Sequence, residues 1–233
     1  MTSFGEMNVL HQGLEFGLGK TDEENYENLP EEDLHLGANC LVTKKLDVTS
    51  CTVICEPDGH YSVASRGMTF NVAEMAKSGR ENIYTQFTKE VVKAGLRYAS
   101  ETGWTIALRG EICCRAVQNM NVNKDRGLNG FYLFRTEFPE VPDRFGSKGC
   151  YGTDFHFLKI SEKFREWGFD VRTVPVVEKD VEVTRDLLRK YNEEPASFGE
   201  GVVVNVDCRG QMDSPSCVWS YKSKSREYLL KVG

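Results

Sequence analysis

The chain has 233 residues, of which 40 % are apolar and 27 % are charged, and this is ordinary for a soluble globular protein. It has no run of about 18 apolar residues that would span a membrane, and its N-terminus lacks the basic start and apolar run of a signal peptide. We therefore expect an intracellular protein, cytoplasmic or nuclear, without a membrane partner. The net charge of −6 argues at first against a nucleic-acid partner.

The charge is distributed unevenly along the chain. Residues 1–38 carry nine acidic residues and one lysine, so the other 195 residues have a net charge of +2. The C-terminal run is locally basic, and binding phosphate requires a local positive field rather than a basic whole protein. We expect an acidic, partly flexible N-terminal segment, 1–37, and one folded domain, 38–233.

The eight cysteines and four histidines do not indicate a zinc site. No pair of cysteines has CxxC spacing, and no HExxH motif is present. We expect buried or free thiols in a reducing compartment.

The first half of the domain predicts a hairpin followed by a helix. Cys40–Val48 and Ser50–Cys55 are rich in β-branched residues, and the turn at 57–60 allows Tyr61–Ser65 to return as a partner strand. A helix is predicted from Ile83, where apolar residues recur at a spacing of three and four, and it should end near Gly103.

Strands and helices alternate through the rest of the chain. Extended segments are predicted at Trp104–Cys114, Phe131–Phe134, Val171–Val177, Gly201–Val206 and Val218–Lys224. Helices are predicted at Phe164–Trp167 and Val181–Tyr191. This mixture indicates an α+β fold with largely antiparallel sheets.

Five short strings contain residue types that suit chemistry on a phosphate. They are Lys45–Asp47, Arg109–Glu111, Phe131–Phe134, Glu200–Val204 and Lys222–Lys224. Residues two apart on a strand share a face, so Lys222 and Lys224 would present two cations to one target. Taken singly, each string is more often an ordinary strand with exposed charges or a core aromatic residue.

In this order and over this span, the five strings resemble the nucleotidyltransferase motifs of ATP-dependent nucleic-acid ligases. The likeness is greatest to the RNA ligases of the phage and RNA-editing type, and it covers about residues 38–231. It implies an ATP-grasp-like adenylyltransferase domain with two antiparallel sheets and flanking helices around an ATP cleft.

The resemblance also implies the reaction. A lysine, here Lys45, attacks the α-phosphate of ATP and becomes adenylylated. The AMP then passes to an RNA 5′-phosphate, and a 3′-hydroxyl displaces the AMP to seal the strand. The implied catalytic residues are Lys45, Asp47, Lys222 and Lys224. The implied partner is RNA with 5′-phosphate and 3′-hydroxyl ends, with a separate nucleic-acid-binding domain or protein as a possible addition.

Further residues are assigned by the resemblance to binding ATP and a divalent cation, Mg²⁺ or Mn²⁺. Glu111 would accept the ribose hydroxyls, Phe134 would stack on the purine with Phe131 as the second choice, and Glu200 would face the metal-bound phosphate. The remaining assigned nucleotide contacts are Lys44, Ser50 and Arg66.

Three positions depart from the motif pattern. Val48 stands where the motif has glycine, Lys44 where many relatives have glutamate, and Arg135 where relatives usually have aspartate. A nucleotide- or RNA-binding relative with impaired catalysis is therefore one alternative. A DNA ligase or a capping-type guanylyltransferase is another, because no feature of the sequence reads a 2′-hydroxyl.

Overall fold

A computed structural model of the protein describes residues 25–65, 69–70, 82–114, 127–142, 148–151, 156–207 and 218–232. The predicted α+β fold with two mostly antiparallel sheets is confirmed. The strands are β1 Asn39–Lys45, β2 Thr49–Cys55, β3 Tyr61–Ser65, β4 Thr69–Phe70, β5 Ile106–Cys113, β6 Gly130–Pro142, β7 Lys148–Tyr151, β8 Arg172–Thr173, β9 Val176–Glu182, β10 Gly201–Asp207 and β11 Val218–Lys224.

The helices flank these sheets. They are α1 Ile83–Phe87, α2 Lys89–Thr102, α3 His156–Glu166, α4 Arg185–Asn192 and α5 Arg226–Val232. Within the described ranges, no helix combines the length and the apolar character needed to cross a membrane.

The smaller sheet has the strand order β11-β10-β1-β9, and all its pairs are antiparallel. In its register, Gly201 on β10 lies between Lys45 on β1 and Lys224 on β11. The cationic residues Lys45 and Lys224 thus flank one glycine on the two neighbouring strands.

The larger sheet has the strand order β4-β3-β2-β5-β6-β7, and β8 adds a short parallel pair to β6. The consecutive strands β1 and β2 belong to different sheets, and the residues at 46–48 join them. This junction brings the end of β1 in the smaller sheet next to the start of β2 in the larger sheet.

The alternation of side chains along β1 divides the interior into two cores. Leu41 packs in the core of the larger sheet, whereas Cys40 and Val42 pack in the core beside α4. Since side chains two apart share a face, Lys45 continues the Leu41 side and Lys44 continues the Val42 side.

Several predicted boundaries differ from those in the structure. The first strand ends at Lys45 rather than Val48, because the chain turns there into the second sheet. The helix predicted over Val181–Tyr191 is wrong in its first part: Val176–Glu182 is a strand on the edge of the smaller sheet, and the helix begins at Arg185 after a Thr184 cap. The predicted helix end near Gly103 is confirmed.

The described part of the acidic segment packs on the smaller sheet. Two 3-10 turns, Tyr26–Asn28 and Glu31–Leu34, precede β1. Leu34 is buried in the core beside α4, and its carbonyl oxygen accepts a hydrogen bond from the Tyr221 hydroxyl at 3.0 Å. An apolar side chain and a hydrogen bond therefore attach this part of the acidic segment to the smaller sheet.

The described cysteines are free thiols, and most of them are buried in strands. Burial raises the pKa of Cys40 and of Cys113 to about 12, so these thiols stay protonated near neutral pH. They behave as small core residues.

Replacing Gly201 by alanine should destabilise the fold strongly. Its φ is +143°, and an added Cβ would overlap the carbonyl oxygen of Ser223 on the neighbouring strand. We expect a loss of about 3 kcal/mol or more in the free energy of unfolding, measured by urea denaturation. The control is Gly103→Ala, also at positive φ but with open space around the added Cβ, for which about 1–2 kcal/mol is expected. Equal losses would contradict the role of the close strand approach.

Candidate active site

A cavity of about 330 Å³ lies where the two sheets meet at the junction of β1 and β2. Every residue from Thr43 to Ser50 contributes to its wall. The other described lining residues come from both sheets and the segments beside them: Glu111, Phe134, Arg135, Val174, Glu200, Val203, Asn205 and Lys224.

One carboxylate in this cavity holds two lysines. Glu200 Oε2 lies 3.2 Å from Lys45 Nζ, and Glu200 Oε1 lies 2.7 Å from Lys224 Nζ. The side chains are 9 % exposed for Glu200, 16 % for Lys45 and 24 % for Lys224. Such largely buried ion pairs are screened less by solvent than surface pairs. The structure therefore gathers three of the predicted site residues within contact distance.

The backbone around Glu200 explains how this contact forms. Glu200 follows the 3-10 turn Ala196–Phe198, and Gly201 then allows β10 to approach β11 closely. The backbone N–H of Ser225 donates to the Glu200 carbonyl at 2.9 Å. The end of β11 is thus tied to the residue that carries the carboxylate.

The two adjacent lysines on β1 have different surroundings. Lys45 reaches Glu200, whereas the Lys44 ammonium lies over the Phe198 ring, 2.8 Å from its centroid. A cation over an aromatic face is stabilised by the ring quadrupole. Lys44 still borders the cavity, but its ammonium is directed to the turn that precedes Glu200.

Glu111 and Ser50 face each other across neighbouring strands of the larger sheet. Ser50 on β2 pairs with Glu111 on β5, and Glu111 also pairs with Tyr132 on β6. Both Ser50 and Glu111 line the cavity. Glu111, the residue predicted to bind the ribose, thus lies on the cavity wall opposite the smaller sheet.

A β-bulge on β6 brings two consecutive side chains to the cavity. Arg109 pairs with Arg135 while Gly110 pairs with Leu133, so Phe134 is the extra residue. A bulge redirects side chains locally, and both Phe134 and Arg135 line the cavity. Phe131, the second choice for base stacking, is instead buried against Gly110 in the core.

Arg135 connects the two sheets across the cavity. Its guanidinium donates a hydrogen bond of 3.0 Å to the Ser220 hydroxyl on β11. Ser220 lies on the strand that also carries Lys224, four residues further on. The arginine that departs from the motif pattern therefore takes part in holding the sheets together.

Val48 lines the cavity and packs partly against the core of the larger sheet. Its φ is not positive, since His35 and Asp180 are the non-glycine residues with positive φ in the described ranges. The position of the motif glycine does not demand left-handed backbone in this chain, and valine is accommodated without strain of that kind.

Asp47 lies beyond the end of β1, in the segment that joins the sheets, rather than on the strand with Lys45. Its carboxylate Oδ2 accepts a hydrogen bond from the Tyr228 hydroxyl of α5. Sequence reasoning missed Tyr228, which follows the last motif by four residues and belongs to none of the five strings.

Two of the predicted site residues are not among the described residues that line the cavity. Lys222 shares the strand face of Lys224 but borders Asn25 through a backbone bridge, and it is not part of the cavity wall. Arg66 lies outside the described residues.

The described residues do not form a ready-made metal site. No three His, Cys, Asp or Glu side chains cluster in the ranges that the structure describes. Each Glu200 oxygen already contacts an ammonium group. A single carboxylate fits a Mg²⁺ ion that keeps water and phosphate oxygens as its other ligands. The assignment of Glu200 to a metal remains a prediction.

Comparison with known proteins places this geometry in context. No protein-family model and no curated protein matches the chain. A solved structure of Naegleria gruberi RNA ligase with PPi is 26 % identical, with a TM-score of 0.66 over 92 % of this chain. The chain has the fold of an RNA ligase. The resemblance to ATP-dependent RNA ligases predicted from the sequence is thereby confirmed.

Other solved structures of the Naegleria gruberi ligase are similar to this chain to about the same degree. Mutants with ATP and Mn and with AMP and Mn are each 24 % identical, with TM-scores of 0.66 over 91 % of this chain. The chain spans 58 % of the ligase chain with PPi, which is less than two thirds of its length.

Removing the Glu200 charge should weaken the fold measurably. In Glu200→Gln, Lys45 and Lys224 lose their shared counter-charge, and we expect the free energy of unfolding to fall by about 1–3 kcal/mol. Urea denaturation at low salt measures this loss.

The matched control for Glu200→Gln is Glu101→Gln. Glu101 pairs with Arg97 at 2.9 Å on the exposed face of α2. We expect its loss to cost less than about 1 kcal/mol, because water screens exposed ion pairs. Unchanged stability of Glu200→Gln would contradict the assigned strength of the buried contact.

Proposed function

We propose that the protein is an ATP-dependent RNA ligase whose described domain adenylylates its own Lys45. The observation that carries this proposal is the Lys45–Glu200–Lys224 cluster in a cavity walled by both sheets. The likeness to the Naegleria gruberi RNA ligase, solved with ATP, AMP and PPi, supports the same reaction class.

In the proposed first step, the Lys45 amine forms a bond to the α-phosphorus of ATP. The bond between that phosphorus and the β-phosphate oxygen breaks, pyrophosphate leaves, and Lys45 retains AMP in a phosphoramide link. A lysine attacks only when it is neutral, so its ammonium must leave Glu200 and lose a proton. Lys224, which contacts Glu200 from its other side, would contact the charged phosphate.

The expected cofactors are ATP and a divalent cation, Mg²⁺ or Mn²⁺. A cation bound with ATP would neutralise phosphate charge, and Glu200 is the residue that would contact it. When Glu200 turns to that cation, its contacts with Lys45 and Lys224 would be released. The ion cluster is then a resting arrangement that gives way when the nucleotide enters.

Residues of the larger sheet would hold the nucleoside. Phe134 offers an aromatic face at the cavity wall, and Glu111 offers a carboxylate to the ribose hydroxyls. Ser50 is opposite Glu111 in the same ladder. The purine and ribose would therefore contact one sheet, while the phosphates would contact the other.

The later steps of the proposal involve RNA. The AMP passes from Lys45 to an RNA 5′-phosphate, and a 3′-hydroxyl then displaces AMP to seal the strand. A separate nucleic-acid-binding domain or protein is part of this proposal.

Incubation with α-labelled ATP and Mg²⁺, followed by a denaturing gel, tests the nucleophile. We expect label on the parent protein and on Lys44→Ala, and no label on Lys45→Ala. The Lys44 ammonium lies over Phe198, so Lys44→Ala serves as the matched control for a neighbouring lysine. Label on Lys45→Ala would overturn the assignment.

The same gel separates the proposal from its main alternative. A folded parent protein that is free of bound AMP and takes no label would indicate a nucleotide- or RNA-binding relative without catalysis. Label from GTP in preference to ATP would instead indicate a capping-type guanylyltransferase, and sealing of nicked duplex DNA in preference to RNA would indicate a DNA ligase.

Two phenylalanines on β6 give an independent test of nucleotide binding. Phe134→Ala should weaken ATP binding by about 1–3 kcal/mol, measured by titration calorimetry, because it removes the stacking face. It should lower stability less than Phe131→Ala does, since Phe134 is only half-buried where it packs against the core. Phe131→Ala should instead cost about 3–5 kcal/mol of stability, because Phe131 is buried in the core. The reverse pattern would make Phe131 the stacking residue.

A further inference from the structure

The C-terminal helix α5 reaches the candidate site through one buried tyrosine. Tyr228 is 3 % exposed, and its hydroxyl donates to Asp47 in the segment that joins the two sheets. Asp47 lies between the end of β1 at Lys45 and the start of β2 at Thr49, so no strand ladder fixes its side chain. The Tyr228 hydroxyl therefore supplies an orienting contact that the sheets do not.

The same helix also holds the backbone of Glu200. Ser225 precedes the first turn of α5, and its backbone N–H donates to the Glu200 carbonyl at 2.9 Å. The Ser225 hydroxyl donates to the Glu194 carbonyl at 2.7 Å and accepts from the Tyr228 backbone N–H at 3.1 Å. The start of α5 thus links Asp47, through Tyr228, to Glu200, the residue just before β10, through Ser225.

The surroundings of Tyr228 keep its hydroxyl protonated, so that it can donate a hydrogen bond. Burial raises the pKa of Tyr228, and so do the hydrogen bond to Asp47 and the negative charges of Asp47 and Glu200. The phenol therefore remains protonated through the neutral range. Its proton is directed to the Asp47 side chain, which accepts the hydrogen bond through Oδ2.

We propose that Tyr228 is a positioning residue for lysine adenylylation, acting through Asp47. The proposal rests on the proposed self-adenylylation of Lys45. With Asp47 held by α5, the segment that follows Lys45 keeps one conformation, and Lys45 enters the cavity at a fixed place beside Glu200. Misplacing a reacting group by about 1 Å lowers a rate by on the order of a hundredfold, so a single orienting contact has a measurable effect.

The decisive variant is Tyr228→Phe, which removes the hydroxyl and keeps the ring. We expect the rate of lysyl-AMP formation at saturating ATP to fall between about tenfold and a hundredfold. The ATP concentration for half-maximal rate should change less than about twofold, because Tyr228 is not part of the cavity wall. Single-turnover labelling with α-labelled ATP measures both quantities.

Tyr191→Phe is the matched control. Tyr191 is also buried, and its hydroxyl likewise donates to a carboxylate, that of Glu178 on β9. Burial and the Glu178 hydrogen bond raise the pKa of Tyr191, as their counterparts do for Tyr228. Tyr191→Phe should therefore lower the unfolding temperature about as much as Tyr228→Phe, while leaving the adenylylation rate unchanged.

A double-mutant cycle with Asp47→Ala shows whether Tyr228 acts through Asp47. If it does, adding Tyr228→Phe to Asp47→Ala lowers the rate no further, because the shared contact is already removed. Additive losses would overturn the proposal, and so would a Tyr228→Phe rate within twofold of the parent or an equal loss in Tyr191→Phe. A parent protein that takes no label overturns the proposed function itself, whereas a labelled parent with an unaffected Tyr228→Phe overturns only this inference.

Discussion

The shared ion pair of Glu200 is the contact on which the rest of the site depends. Its carboxylate joins Lys45 of β1 to Lys224 of β11, two strands that do not pair with each other. Between them lies Gly201, the residue that lets the strands approach closely. Two ammonium groups would repel each other at this separation, so the carboxylate is what allows both to stay largely buried.

The cavity draws on the two sheets for different chemical properties. The smaller sheet and the residue before β10 supply Lys45, Lys224 and Glu200, and the larger sheet supplies an aromatic face, a serine, a carboxylate and a guanidinium. Arg135 spans the gap by bonding to Ser220. The nucleotide of the proposed function, with a flat base and a charged phosphate end, would match this division.

The sequence indicated the fold class and most of the site, because strand alternation and motif order are local properties. Lys45, Glu200, Lys224, Glu111 and Phe134 were expected in one cavity, and the structure brings them there. Three features could not be predicted. The bulge at Phe134 depends on how β6 pairs with β5, the strand at Val176–Glu182 pairs with β1 and extends past the predicted start of the helix at Val181, and the Tyr228 contact joins residues 181 positions apart.

The pairing of β1 has a consequence for the order in which the protein forms during synthesis. Its two partner strands, β9 and β10, begin at Val176 and Gly201, whereas β1 itself ends at Lys45. The larger sheet is made of segments between Thr49 and Thr173, and it can assemble before those partners leave the ribosome. The lysine strand therefore stays unpaired until β9 has emerged, and a product cut short before β9 would retain the larger sheet and lack Glu200 and Lys224.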